Sequence, residues 1–240
     1  MRKTRPYHTA LSWFAVLATI VVVAGCATPR QAFNQAAHPN VKKVALVRPP
    51  LVDQYAISIV YHPGASFGLI GGLIAAGELS SKGTQLTTIV KSTQFDFGAE
   101  LAIAVEEALR AQGRFELSFV GTDEMRKDYL ADYKSLGGAC DAYLDFVPLV
   151  AGYSATSHST PYYPWAAVKA RLIDSRTAEV LYLQTIVYSN AKVGEGVVKL
   201  EPSASLGFEN MDALSADRPR AAEGLRTAAK AVARQIASDL

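Results

Sequence analysis

The chain has 240 residues, 50% of them hydrophobic, with 24 lysines and arginines against 22 aspartates and glutamates and only two cysteines. That length suits one domain, or one domain with embellishments. Arg2, Lys3 and Arg5 fall in a start free of acidic residues, so residues 26–240 carry 21 basic against 22 acidic groups, a net charge of −1. The basic balance of the whole chain is therefore a property of its first 25 residues, and the clustered basic face that nucleic-acid binding needs is not there.

In chain order, the basic start leads into an apolar run from Ala10 to Ala24 and stops at Val23-Ala24-Gly25-Cys26. This is the pattern of an export signal, and it is set apart from fold reasoning. The run is short for a permanent span, which needs roughly 20 residues. The alternative is an uncleaved helix with Cys26 as an incidental thiol. The segment resembles the signal peptides of bacterial lipoproteins, which end aliphatic, small, small, cysteine. That resemblance implies cleavage between Gly25 and Cys26, and a diacylglyceryl thioether plus an amide-linked acyl chain, palmitate or similar, on Cys26. One acyl chain holds a protein only marginally, at about 0.8 kcal/mol per buried CH₂, whereas two or more make a stable anchor. Ala27, in place of the aspartate that in such proteins often marks the inner membrane, implies a periplasm-facing outer-membrane location. With Cys26 acylated only Cys140 remains, so no intramolecular disulfide forms, and Cys140 reads as a small buried hydrophobe.

Residues 26–40 lack an apolar period and contain two prolines; they read as a lipidated tether to a single domain over 41–240. Residues 41–47 and 55–61 are predicted strands. Between residues 64 and 77 the chain is uncharged, with Gly64, Gly68, Gly72 and Ala76 at steps of four. On a helix these four share one face, where another backbone approaches closely, in a second subunit or a bilayer; a glycine-eased turn packed on the sheet is the alternative. Phe97, Leu101, Val105 and Leu109 recur every four residues, so residues 96–112 are predicted helical, with Asp96 as cap and Gly113 as stop. Residues 84–92 read as preceding turns of the same helical region. A strand over 115–120 and a polar helix over 123–136 follow.

Residues 142–150 are a predicted strand, with Pro148 making its far end an edge or a bulge. Residues 166–174 and 179–190 alternate as a β-hairpin about Ser175-Arg176-Thr177-Ala178. Between the strand and the hairpin, residues 152–165 form a candidate partner loop, its Tyr153, Tyr162, Tyr163 and Trp165 suited to an interface or to lipid headgroups. Residues 191–215 read as a long loop, and 218–240 as a helix with Leu225, Ala228 or Ala229, Val232 and Ile236 in one stripe.

The order of elements argues for an α+β fold, a mixed β-sheet flanked by helices in a three-layer sandwich with a C-terminal helix. With Cys26, the strand at 41–47, the helix at 97–112, the strand at 142–150 and the hairpin VKARLIDSRTAEVL (168–181), the chain resembles a group of periplasmic lipoproteins. The group includes the curli-secretion lipoprotein and the lipoprotein activators of peptidoglycan synthases, and its domain is similar to the amino-terminal domain of the Tol translocation protein. Its hairpin commonly turns at Thr-Gly, whereas Ala178 stands at the glycine position here. Neither residues 64–77 nor residues 191–207, the plausible places for barrel insertions, show the ten-residue alternation of a membrane barrel, so a pore is not expected.

The residues offer little chemistry. His38, His62 and His158 lack partners at metal-ligand spacing, so neither metal nor cofactor is expected. Asp141, Asp145 and Asp174 read as strand-end caps. The expectation is a non-catalytic envelope assembly or interaction factor, binding the bilayer through Cys26 and an envelope partner or copies of itself. The alternative is a periplasmic hydrolase or small-ligand-binding lipoprotein with a polar pocket near His158, Asp141 or Asp174.

Overall fold

A computed structural model of the chain describes residues 29–59, 80–121, 126–137, 139–157 and 160–240. Gly25, Cys26, the run with Gly64, Gly68, Gly72 and Ala76, and also His62 and His158, lie outside the described residues.

The chain forms β1 (Lys43–Val47), β2 (Ala56–Ile59), α1 (Ser80–Lys91), α2 (Phe97–Gln112), β3 (Glu116–Val120), β4 (Ala142–Ala155), β5 (Tyr163–Asp174), β6 (Val180–Tyr188), β7 (Val197–Leu200), α3 (Met211–Ala216) and α4 (Arg218–Asp239). The seven strands make one mixed sheet in the order β3-β1-β4-β5-β6-β7, with β2 lying beside the second half of β4. β1 runs parallel to both β3 and β4, β4-β5-β6 is an antiparallel meander, and β7 is parallel to β6. This is the expected α+β class with its C-terminal helix.

Period-2 alternation assigns the faces. Val44 and Leu46 of β1, Leu144 and Phe146 of β4, and Val168, Ala170 and Leu172 of β5 face the main core with the α-helices. Ala45, Val47, Tyr143 and Ile173 face the other way. On the helical side, α2 follows its sequence: Phe97, Leu101, Val105 and Leu109 are fully buried, and Gly113 ends the helix at φ +66°. Asp96 accepts from the Ala99 N–H at its helix start and from the Val52 N–H, tying α2 to the chain after β1. α4 buries an alanine-rich face that lets it lie close to α2 and the sheet.

Five expectations are corrected. Residues 80–91 are a helix of their own, separated from α2 where Gln94 takes φ +59°. Within the expected polar helix, residues 126–137 are irregular apart from a 3₁₀ turn at Lys134–Leu136, and they form the sheet's third layer. Asp128 and Asp132 accept from nearby backbone N–H groups of Tyr129 and Lys134, and such local bonds compete with helix formation. The expected loop at 191–215 contains β7 and α3, too short for periodicity to register. β4 runs on to Ala155 and β5 starts at Tyr163, so strand occupies half of the expected aromatic loop; Pro148 sits at a register shift that lets β4 continue. Finally, residues from Gln31 onward are docked rather than free, with Gln31 bridged to Leu183 of β6 and Phe33 packed against the core.

Candidate functional site

The polar residues that converge lie between the sheet and the segment 126–137. Asp145 sits in the apolar strand β4, and alternation turns its carboxylate away from the helical core, fully buried. Its Oδ2 accepts from the Leu130 N–H at 3.0 Å and the Tyr133 hydroxyl at 2.5 Å. Its Oδ1 lies 2.8 Å from the Arg126 guanidinium, an ion pair not aligned as a hydrogen bond. Arg126 also donates to the backbone carbonyls of Asp128 at 3.1 Å and Arg48 at 3.2 Å.

Directly across the ladder from Asp145 stands Arg171 of β5. It donates to the Tyr133 hydroxyl at 2.7 and 2.9 Å and to the Leu130 carbonyl at 2.7 Å. Its guanidinium lies 4.2 Å from the centre of the Tyr129 ring, and the Lys169 ammonium 4.5 Å from the same ring, both in cation–π range. Lys169 also pairs with Asp128. Burial pushes the Tyr129 and Tyr133 hydroxyls well above their ordinary range, with the Asp145 charge raising Tyr133 further, so both stay protonated. Tyr133 thereby bridges the opposite charges of Arg171 and Asp145.

The groups are tied to one another, with Asp145 Oδ1 held by the ion pair alone, which is the behaviour of a clamp holding segment 126–137 to the sheet. Beside it lies a cavity of about 200 Å³ lined by Val47, Gly121, Arg126, Leu130, Ser135 and Leu136, among others. The sequence did contain a signal for this cluster: an aspartate inside an apolar strand, with Lys169 and Arg171 at alternate positions of the next strand. Reading Asp145 as a strand-end cap is corrected by its place in the interior of the sheet.

Asp141 and Asp174 are caps as expected. Asp141 accepts from the Lys42 and Lys43 N–H groups at 2.9 and 2.8 Å, which hold its carboxyl below the usual range. Asp174 accepts from the Arg176 and Thr177 N–H groups, both at 2.8 Å, inside the β5–β6 turn. Cys140 is half-buried against the Ala45 and Tyr143 cluster, and burial pushes its thiol up. His38 stacks on Phe33. Among the described residues no three His, Cys, Asp or Glu side chains come together to hold a metal ion, and no helix is long and apolar enough to cross a membrane.

The aromatic partner loop is not presented to solvent, which corrects that expectation. Tyr153 is fully buried, donating to the Ala221 carbonyl at 2.8 Å and meeting the Phe208 ring edge-on. Tyr162 and Trp165 are also buried, and only Tyr163 is half-exposed, against Gly207. In β4 Ala151, Tyr153 and Ala155 alternate inward, a period that the neighbouring glycine and serines obscured.

No family model and no curated protein sequence matches the chain. Solved structures resemble it remotely. A PelC dodecamer from Paraburkholderia phytofirmans is 14% identical, with 88% of this chain and 94% of that chain covered and a TM-score of 0.39. A Xanthomonas campestris protein of family DUF330 is 11% identical over 88% of this chain and 90% of its own, at a TM-score of 0.42. The lipoprotein GNA1162 from Neisseria meningitidis is 18% identical over 82% of this chain and 99% of its own, at a TM-score of 0.23.

Proposed function

We propose that the chain is a bacterial lipoprotein, held at the periplasmic side of the outer membrane by acylated Cys26, whose α+β domain acts as a non-catalytic assembly or interaction factor in the cell envelope. One observation carries the reading: a basic start and an apolar run end at Val23-Ala24-Gly25-Cys26, with the folded domain beginning a few residues later. The clamp around Asp145 supports the non-catalytic half, since its carboxylate is held by Leu130, Tyr133 and Arg126 rather than turned toward an open cleft.

The experiment is fractionation of envelopes carrying wild type or Cys26→Ser. The wild type is expected in the outer-membrane fraction with residues 1–25 removed, and Cys26→Ser is expected to keep them. Identical processing and distribution of the two contradict the reading. The assembly half is tested by the mass of the detergent-extracted complex, with Gly68→Leu plus Gly72→Leu for comparison; a monomer without a co-purifying partner contradicts it.

A second reading, a small-ligand-binding lipoprotein, has the cavity beside Arg126 in its favour. Native mass spectrometry decides it: a retained small molecule that Arg126→Ala releases supports the second reading, and an empty protein rejects it.

A further inference from the structure

The way residues 31–41 lie on the domain sets the length of the leash. Gln31 exchanges two backbone hydrogen bonds with Leu183 of β6, at 2.8 and 2.9 Å, and its Nε2 donates to the Val180 carbonyl at 2.5 Å. Downstream, Phe33 packs on the main core, Arg114 donates to the Gln35 side chain, and Val41 is buried at the entry to β1. The chain is thus fixed from Gln31, not from residue 41. Five residue steps separate Gln31 from Cys26, and an extended chain covers at most about 18 Å in that length. A free tether over residues 26–40 would reach about 50 Å.

An acylated Cys26 sits at the boundary of the hydrocarbon, and the headgroup layer above it takes up roughly 6 Å. That leaves Gln31 within roughly 12 Å of the headgroup surface. Gln31 bridges β6 beyond the end of β7, where the β6 edge is otherwise open among the described residues. Two exposed or surface features share this corner: the β5–β6 turn with Arg176, and the end of α4, where Tyr182 donates to Asp239 at 3.0 Å. Register places Thr156 and Tyr162 at the opposite end of the sheet, because Ala142 pairs with Asp174 while Ser154 pairs with Tyr163.

Resting on the lipoprotein reading above, we infer that the corner formed by the open β6 edge, the β5–β6 turn and the end of α4 is a membrane-apposed surface, laid against phospholipid headgroups by a leash too short to let the domain stand away. The opposite end of the sheet faces the periplasm. Charge does not drive the contact, since the basic Arg30 and Arg176 there face the acidic Asp141, Asp174 and Asp239. The apposition therefore persists in high salt, unlike that of a polybasic surface, whose attraction is screened.

The test uses the full lipidated chain in vesicles of phosphatidylethanolamine and phosphatidylglycerol, 1% of the lipid carrying a headgroup energy acceptor, a trace level chosen on the order of what leaves the bilayer's charge intact. A donor dye is placed at Arg176→Cys or at Thr156→Cys in a Cys140→Ser background, Cys26 being blocked by its lipid. Intact mass confirms the acyl chains beforehand. Energy transfer from residue 176 is expected to exceed that from residue 156 at least about twofold, as the two ends of β4 lie roughly 40 Å apart. The excess is expected to survive high salt, and to shrink when about 12 Gly/Ser residues are inserted after Ala27, adding a flexible reach of about 19 Å. Equal transfer from both sites on a lipidated protein overturns the inference alone. An unlipidated mass overturns the anchoring reading, and the inference with it.

Discussion

Replacing Asp145 by alanine tests whether the clamp holds the third layer to the sheet. The substitution leaves the Arg126 guanidinium, the Tyr133 hydroxyl and the Leu130 N–H without their shared acceptor, at a site where Asp145 is fully buried and the Arg126 side chain only 11% exposed. Removing one partner of a buried ion pair costs about 3–5 kcal/mol. Arg126 keeps its bonds to the carbonyls of Asp128 and Arg48, and Tyr133 still accepts from Arg171, so the lower end of that range, about 3 kcal/mol, is expected. That is a large part of the roughly 5–15 kcal/mol that stabilises a domain, yet leaves the fold populated. Urea unfolding followed by the fluorescence of Trp165, the lone tryptophan once residues 1–25 are removed, gives the number. Segment 126–137 is also expected to become the first site of proteolysis. Replacing Arg126 and Asp145 together by leucine is expected to cost less than the two single changes summed, because no charge is then left unpaired. A loss below about 1 kcal/mol for Asp145→Ala, within the range of one ordinary hydrogen bond, refutes the clamp.

Three further outcomes are expected. Ala178 holds φ +61° in the β5–β6 turn, a conformation that costs an L-residue about 1–2 kcal/mol, so Ala178→Gly should stabilise the domain by about 0.5–1 kcal/mol after the added freedom of the unfolded chain; a lower urea midpoint contradicts this. A Cβ on Gly152 would stand 1.8 Å from the Ala56 carbonyl oxygen, so Gly152→Ala is expected to part β2 from β4 at a cost of about 3 kcal/mol, with amides 56–59 losing protection from exchange. Unchanged protection there contradicts the close approach. The backbone N–H groups of Lys43 and Lys42 depress the Asp141 carboxyl, so its contribution is fully present above the unfolded value of about 3.9 and is lost as pH falls through the lower folded value. Asp141→Asn should therefore flatten the acid limb of stability against pH, and an unaltered limb removes Asp141 from the account.

The long periodic elements were legible in the sequence. α2 carries a regular apolar stripe and clear caps, α4 carries an alanine-rich stripe, and the β5–β6 hairpin alternates around a turn whose Ala178 takes the left-handed conformation that glycine favours. What escaped was decided by partners distant in sequence. Tyr153, Tyr162 and Trp165 look like loop aromatics among glycine, serine and proline, and they are buried by the meander of β4 and β5 and by the bridge of Tyr162 to Phe208. The segment at 126–137 has helix-forming charges, but Asp145 and Arg171, on two different strands, hold its Tyr133 and Leu130 in an irregular path. Asp145 itself was visible as an oddity in AYLDFVPLV; its role depended on which face it took. Likewise, nothing within residues 29–40 announces docking, because the edge that receives Gln31 lies some 150 residues downstream.

What happens at Cys26 is measured directly by the intact mass of the envelope-purified mature chain. The expected polypeptide begins at Cys26 and is heavier than residues 26–240 by a diacylglyceryl group and one further acyl chain. A chain of unmodified mass, or one that still carries Met1 through Gly25, contradicts the lipoprotein reading.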